Sequence, residues 1–244
     1  MHKILAQLLL ALGLLFAAGN AQDPNSATVS TLAIKSVDEL EVHSAKLDPV
    51  EVPSPMAEIA SYMGRTAVKI VNRAGVTATG LPANGETVAI LKGSDFSDGT
   101  IEAEVVGLPR PGADSSVRGF VGIAFRVAPH GSQYESISLR QTNGRADDQL
   151  RRNHSTQYAS YPSFPWHRLR DENPGVYESY VDLEPEGWTK IKIVVAGNKA
   201  RLHVNGAEQP CLIVNDLKLR ATRGQIAFWV GTDTEGYFSN LVVK

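Results

Sequence analysis

The chain has 244 residues, with 24 Lys and Arg against 26 Asp and Glu and a formal net charge of −2. That balance excludes the broad positive surface of a nucleic-acid-binding protein. The single cysteine, Cys211, excludes an intrachain disulfide framework, so the chain must rely on an apolar core.

Met1-His2-Lys3 leads into the apolar run ILAQLLLALGLLFAAG, and Gly19-Asn20-Ala21 puts small residues just before Gln22. This is the pattern of a signal peptide over residues 1–21. The run is too short for a membrane span. It points to a secreted or periplasmic protein with no membrane span once the signal is removed. Residues 22–60 are polar, end near the proline-rich LDPVEVPSP, and read as an N-terminal arm with one edge strand expected near residues 30–37.

From residue 61 to 244 the sequence becomes a succession of short alternating runs separated by glycines, the pattern of an all-β sandwich or barrel. The expected strands are TAVKIVN, ETVAILK, GTIEAEVVG, GFVGIAFRV, YESISLRQT, VYESYVDL, TKIKIVVAG, KARLHVNG, QIAFWVG and YFSNLVVK. Helix is expected to be scarce, because no stretch repeats apolar residues with a 3.6-residue period. Gly197-Asn198 reads as a hairpin turn, and Asn205-Gly206 ends the next strand in the same way. Cys211 reads as a small buried hydrophobe beside a strand. One monomeric domain accounts for all of this.

Alternation assigns faces. Val121, Ile123, Phe125 and Val127 share one side of their strand, and Phe120, Gly122, Ala124 and Arg126 the other. Ile137 and Leu139 oppose Ser136, Ser138 and Arg140. The side with Gly122, Ala124, Ser136 and Ser138 has small side chains, which leaves room for a shallow groove. Between the expected strands YESISLRQT and VYESYVDL lies a long insertion, near residues 141–176, dense in arginine, histidine, carboxylate and aromatic groups. Insertions of that length in a compact domain are usually functional or disordered, and the aromatics argue against disorder.

The pieces LKGSDFSDGTIEAEV, GFVGIAFRV with YESISLR, GWTKIKIVVAGNKARLHVNG and GQIAFWVGTDTEGYFSNLVV resemble those of concanavalin A-like lectin/glucanase domains. Within that superfamily they are similar to secreted bacterial laminin-G-like and 3-keto-disaccharide-hydrolase-like domains. The resemblance covers the chain from about Thr66 to Lys244 and implies a two-sheet antiparallel jelly-roll sandwich with sugar as the ligand class. The glucanase E-x-D-x-x-E motif is absent. Glu135 matches a family glutamate in YESISLR, where the keto-disaccharide members carry YEVQILD.

The residues themselves offer several chemistries. His154 and Tyr158, four positions apart, would suit a base and acid pair for β-elimination. Glycosidic hydrolysis instead needs two carboxylates across the scissile bond, and Glu135 and Glu178 stand at the two mouths of the insertion. Arg140, Arg151 and Arg152 suit an acidic or hydroxyl-rich sugar, with Asp147 or Asp148 orienting a guanidinium or simply forming an intraloop ion pair. Arg126, His167 and Arg168 complete the expected ligand-binding set. Trp166 reads either as a stacking platform or as a plug that seats the loop. His154 and His167 have no metal-ligand spacing, so no metal or other cofactor is expected, although backbone carbonyls and carboxylates can hold a structural calcium ion in such a fold. Three functions remain open: a secreted glycan-active protein that binds an oligo- or polysaccharide, acidic ones included, with its cleavage left open; a non-catalytic carbohydrate-binding or adhesion module; and a structural envelope component.

Overall fold

A computed structural model describes residues 30–31, 34–44, 56–72, 75–76, 82–83 and 85–244. The expected signal segment lies outside the described residues, as does much of the arm. The strands are β1 (Ser30–Thr31), β2 (Leu40–Ser44), β3 (Met56–Tyr62), β4 (Arg65–Val71), β5 (Gly75–Val76), β6 (Pro82–Ala83), β7 (Thr87–Leu91), β8 (Gly99–Pro109) and β9 (Phe120–Val127). They continue with β10 (Tyr134–Arg140), β11 (Thr156–Tyr161), β12 (Glu178–Ser179), β13 (Thr189–Ala196), β14 (Lys199–Val204), β15 (Leu212–Val214), β16 (Gln225–Val230) and β17 (Thr234–Val243). Two short helices, α1 (Gln149–Asn153) and α2 (Trp166–Glu172), flank β11.

Two antiparallel sheets result. One has the order β15-β14-β13-β8-β17-β4-β3, with β1 pairing alongside β17; the other has the order β12-β11-β10-β9-β16-β7-β2, and β5 and β6 form a separate small ribbon. Each of the ten runs expected to be strands contributes one, although VYESYVDL supplies only the two residues of β12. Strands β2, β3, β11 and β15 carry no strong alternating signal of their own and take their place through tertiary pairing.

The core lies between the sheets. Ile101, Ala103 and Val105 of β8 and Ile191, Ile193 and Val195 of β13 meet Val121, Ile123 and Phe125 of β9 and Ile137 and Leu139 of β10. Burial of this kind contributes roughly 1.5–3 kcal/mol per large side chain. Strand β13 alternates as expected, with Ile191, Ile193 and Val195 buried and Lys190 and Lys192 turned outward.

The insertion is ordered by three local devices. Asp148 accepts the backbone N–H of Arg151 at 2.8 Å and so caps α1. Strand β11 then pairs with β10 over six residues, from Tyr134↔Tyr161 to Leu139↔Thr156. Helix α2 follows, and Leu169 on it is fully buried against the core. The stretch therefore extends the sheet before it leaves it.

Alternation fails at one place on β9. The β9–β16 register shifts between Gln225 and Ala227, and Arg126 takes φ 53°, the geometry of a bulge that re-aims a side chain. Val127 consequently joins Ala124 in the outer cluster, not Val121. The Arg126 side chain, 0% exposed, donates to Ser97 O (3.0 Å), Asp98 Oδ1 (3.1 Å) and Gly197 O (2.6 Å). Arg126 thus bridges to the end of the other sheet instead of standing over the small-residue face.

Candidate functional site

The two sheets differ in what they turn outward. The eight-stranded sheet presents ion pairs: Glu102 with Lys190 and Lys244, Glu104 with Arg65, and Lys69 with Glu58 and Glu235. These are ordinary solvated pairs worth about 0–1 kcal/mol each. The seven-stranded sheet presents a row fixed by register: His43, Val88, Trp229, Gly122, Ser138, Gln157 and Glu178 stand side by side from β2 to β12. The next row is Glu41, Ile90, Ala227, Ala124, Ser136 and Ala159. Small residues make the middle of this face low, as the sequence predicts. Gly122 is required there, because a Cβ would come within 2.3 Å of Ile137 O on β10.

Aromatic and carboxylate groups stand over that floor. Tyr134 and Tyr161 stack with centroids 5.0 Å apart and an interplanar angle of 11°. Tyr134 Oη and Trp229 Nε1 both donate to Glu86 Oε2, at 2.6 and 3.1 Å. Burial pushes the Glu86 carboxyl above its usual range, against the pull of those two donors.

At the β12 edge the residues of the insertion converge on Glu178, whose side chain is 2% exposed. Arg140 Nη1 donates to Glu178 Oε1 at 2.7 Å and to His154 O at 3.1 Å, and Nη2 donates to Gln157 Oε1 at 2.9 Å. Arg170 Nε donates to Glu178 Oε2 at 2.9 Å and its Nη2 to Oε1, while His154 Nε2 lies 3.5 Å from Oε2. Burial raises the Glu178 carboxyl, but the Arg170 and Arg140 guanidiniums outweigh it and hold the group below the ordinary range. His154 is lowered by burial and by the two arginines, with Glu178 opposing. At neutral pH the cluster therefore presents an ionised carboxylate and a neutral imidazole.

Trp166 completes the cluster. It lies under the guanidiniums of Arg140 and Arg170, 5.6 and 4.7 Å from its ring centroid, in cation–π contact. It is nevertheless 38% exposed.

The other expected site residues fall elsewhere. Tyr158 and Glu135 face the interior, where Tyr158 Oη donates to Glu135 Oε2 at 2.5 Å and accepts from Lys218 N at 2.8 Å. Leu219 N donates to Glu135 Oε1 at 2.6 Å. Burial raises the Glu135 carboxyl to about 7 and pushes the Tyr158 hydroxyl far above its ordinary range. His154 and Tyr158 thus lie on opposite sides of the sheet, as do Glu178 and Glu135, and neither pair is brought together. For the glutamates the reason is the period of two along a strand, because Glu135 pairs with Ser160 and Glu178 with Gln157, on opposite faces of β11. His154 precedes β11 as the C-cap residue of α1 and is placed by that helix.

Asp148 is occupied with capping α1 rather than with either neighbouring guanidinium. Arg151 Nε reaches Asn143 Oδ1 at 3.4 Å, and Arg152 Nη2 donates to Tyr180 Oη at 2.8 Å. Arg168 pairs with Glu172 at 2.7 Å and donates to Ser163 O at 2.7 Å, with its guanidinium 4.5 Å from the Phe164 centroid. His167 is exposed beside Trp166, with ring centroids 5.6 Å apart. Arg140, His154, Trp166 and Glu178 do converge. Sequence reasoning missed Glu86, Tyr134, Gln157, Arg170 and Trp229. The alternation of QIAFWV and YESISLR carried a signal for Trp229 and Tyr134; Glu86 precedes its strand and had none.

No family model and no curated protein matches the chain. Among solved structures, a Bacillus subtilis protein of unknown function with a galectin-like fold superposes with a TM-score of 0.54 at 13% identity, covering 89% of this chain and 94% of that one. The carbohydrate-binding module CBM66 from Bacillus subtilis gives a TM-score of 0.49 at 11% identity, over 80% of this chain and 98% of that chain. A prokaryotic β-1,3-1,4-glucanase from a mouse hindgut metagenome gives 0.44 at 13% identity, over 86% and 96%. The galectin-like likeness supports the fold, an antiparallel two-sheet sandwich.

Proposed function

We propose that this protein binds an oligo- or polysaccharide on the outer face of its seven-stranded sheet and does not cleave it. One observation carries the reading: Trp166 is exposed yet held by two guanidiniums, beside a carboxylate kept ionised and the amide of Gln157. An exposed aromatic ring offers the apolar C–H face of a sugar a surface to stack on, while preorganised polar groups satisfy its hydroxyls. Glycosidic hydrolysis requires a protonated acid and a second carboxylate across the bond. Glu178 supports neither role, because its partners are Arg140, Arg170 and His154 and its carboxyl is held low.

The experiment is a panel of neutral, uronic and sulfated oligosaccharides, read both by affinity and by new reducing ends or unsaturated products. We expect retention without product, and an approximately tenfold or greater loss of affinity in Trp166→Ala, equivalent to about 1.4 kcal/mol, with the folded structure retained by circular dichroism. Failure of every glycan to bind would overturn the reading.

Glu86 favours a second reading, cleavage, because burial raises its carboxyl and so favours the protonated form a general acid needs. Product formation that disappears in Glu86→Gln, with binding retained, would establish it against the first. The signal-like run at residues 1–21 supports export to the periplasm or beyond. A mature N-terminus at Gln22, read by mass spectrometry of secreted protein, is the expected result. Among the described residues no helix is long and apolar enough to cross a membrane.

A further inference from the structure

The opposite edge of the same outer face carries a second cluster, built from segments 89 positions apart. Strand β2 is an edge strand, and Glu41 and His43 stand on one side of it, in register with Ile90 and Val88 of β7. The turn between β9 and β10, Pro129–Gly131, folds onto that edge. Gly131, at φ 68°, allows the close approach, because a Cβ there would come within 2.8 Å of Val88 Cγ2. His130 before it adopts φ 58°, a left-handed conformation that costs a residue with a side chain roughly 1–2 kcal/mol. That conformation delivers the imidazole onto β2.

The result is a convergence of donors. Glu41 Oε1 lies 2.7 Å from His43 Nε2 and 3.0 Å from His130 Nδ1. The two rings meet edge to face with centroids 5.7 Å apart, and the three donor atoms all lie within 4.8 Å of one another.

We propose that Glu41, His43 and His130 form a zinc site that ties edge strand β2 to the turn between β9 and β10, with a fourth coordination position open to solvent. Two imidazole nitrogens and a carboxylate oxygen are a donor set that Zn²⁺ accepts. With metal–ligand bonds of about 2.0–2.1 Å, tetrahedral donor atoms stand about 3.3 Å apart. The nitrogens would withdraw by roughly 0.3–0.6 Å from the shared oxygen, now 2.7 and 3.0 Å away, and stand about 3.3 Å from each other, inside the 4.8 Å that encloses all three donor atoms. Calcium and magnesium prefer all-oxygen shells and do not fit. The His130 side chain is 80% exposed and that of His43 27%, so the ion reaches the site without opening the fold.

The test uses the full chain, stripped with a chelator and titrated with Zn²⁺ by calorimetry and with Co²⁺ by visible absorption. The expected result is one equivalent of metal, intense d–d bands of tetrahedral cobalt and a raised thermal midpoint. His130→Ala, on an exposed turn, and Glu41→Gln should each lower affinity by about tenfold or more, with metal-free circular dichroism unchanged. His203→Ala, on the other sheet, should bind as the unaltered chain does. Absence of uptake, uptake of calcium in preference to zinc, or zinc affinity unaffected by His130→Ala would each overturn the proposal.

Discussion

Two glutamates of the β10–β12 region, Glu135 and Glu178, are both buried and have opposite electrostatics. Glu135 points into the sandwich, where it accepts from a tyrosine hydroxyl and a backbone N–H, and burial wins: its carboxyl rises to about 7. Glu178 points outward, where two guanidiniums grip both oxygens, and charge wins: its carboxyl is lowered. Depth alone therefore does not decide the state of a carboxylate. The face of the strand decides, because it determines which partners are within reach. The inward glutamate joins the 218–219 segment to β10, and the outward one organises a surface.

Removal of the outward glutamate has the largest expected effect. Glu178→Ala leaves Arg140 buried with only neutral acceptors and places Arg170 beside it without a counter-charge. A loss of about 3 kcal/mol in stability is expected, the scale for breaking a buried pair from one side, as measured by urea denaturation at pH 7. A loss below about 0.5 kcal/mol, the range of an ordinary surface change, would show that the cluster is effectively solvated.

The pH dependence tests the inward member. A carboxyl raised in the folded state binds its proton more tightly folded than unfolded. Raising the pH from the unfolded value near 4.5 to about 7 therefore removes stability. Against Glu135→Gln, the unaltered chain should lose on the order of 2–3 kcal/mol across that window, read from urea midpoints at pH 4.5 and 7.5. Glu178 has the opposite sign: its contribution is present above the unfolded value and is lost as pH falls through its lowered folded value. A flat difference between the Glu135 variant and the unaltered chain would remove the contrast. At the small end, Arg168→Ala breaks an exposed i,i+4 pair with Glu172. It should change stability by no more than about 0.5 kcal/mol and leave glycan affinity intact; a larger loss of affinity would extend the surface onto the far side of α2.

The sheets were legible in the sequence because period-two runs and glycine-bearing turns are local signals. The low floor at Gly122, Ala124, Ser136 and Ser138 followed from the same alternation. Strand β11 was not legible, because TQYASY is short, is set among polar and proline-rich neighbours, and gains its place from pairing with β10. Arg126 was misplaced by a bulge that alternation cannot foresee. For the site, Arg140, His154, Trp166 and Glu178 were found because one insertion holds them all. Glu86, and His130 beside Glu41, were missed because their partners come from strands remote in the chain, and their spacing says nothing about distance in space.

The place of β17 in the eight-stranded sheet has a kinetic consequence. It lies between β8 and β4, pairing with β8 across roughly 130 residues of chain. Until it docks, β8 and β4 each show an open edge, and the sheet exists as two halves with nothing hydrogen-bonded between them. The centre of the eight-stranded sheet can close only once residues 234–243 are available, through a long-range strand pairing of the slow kind.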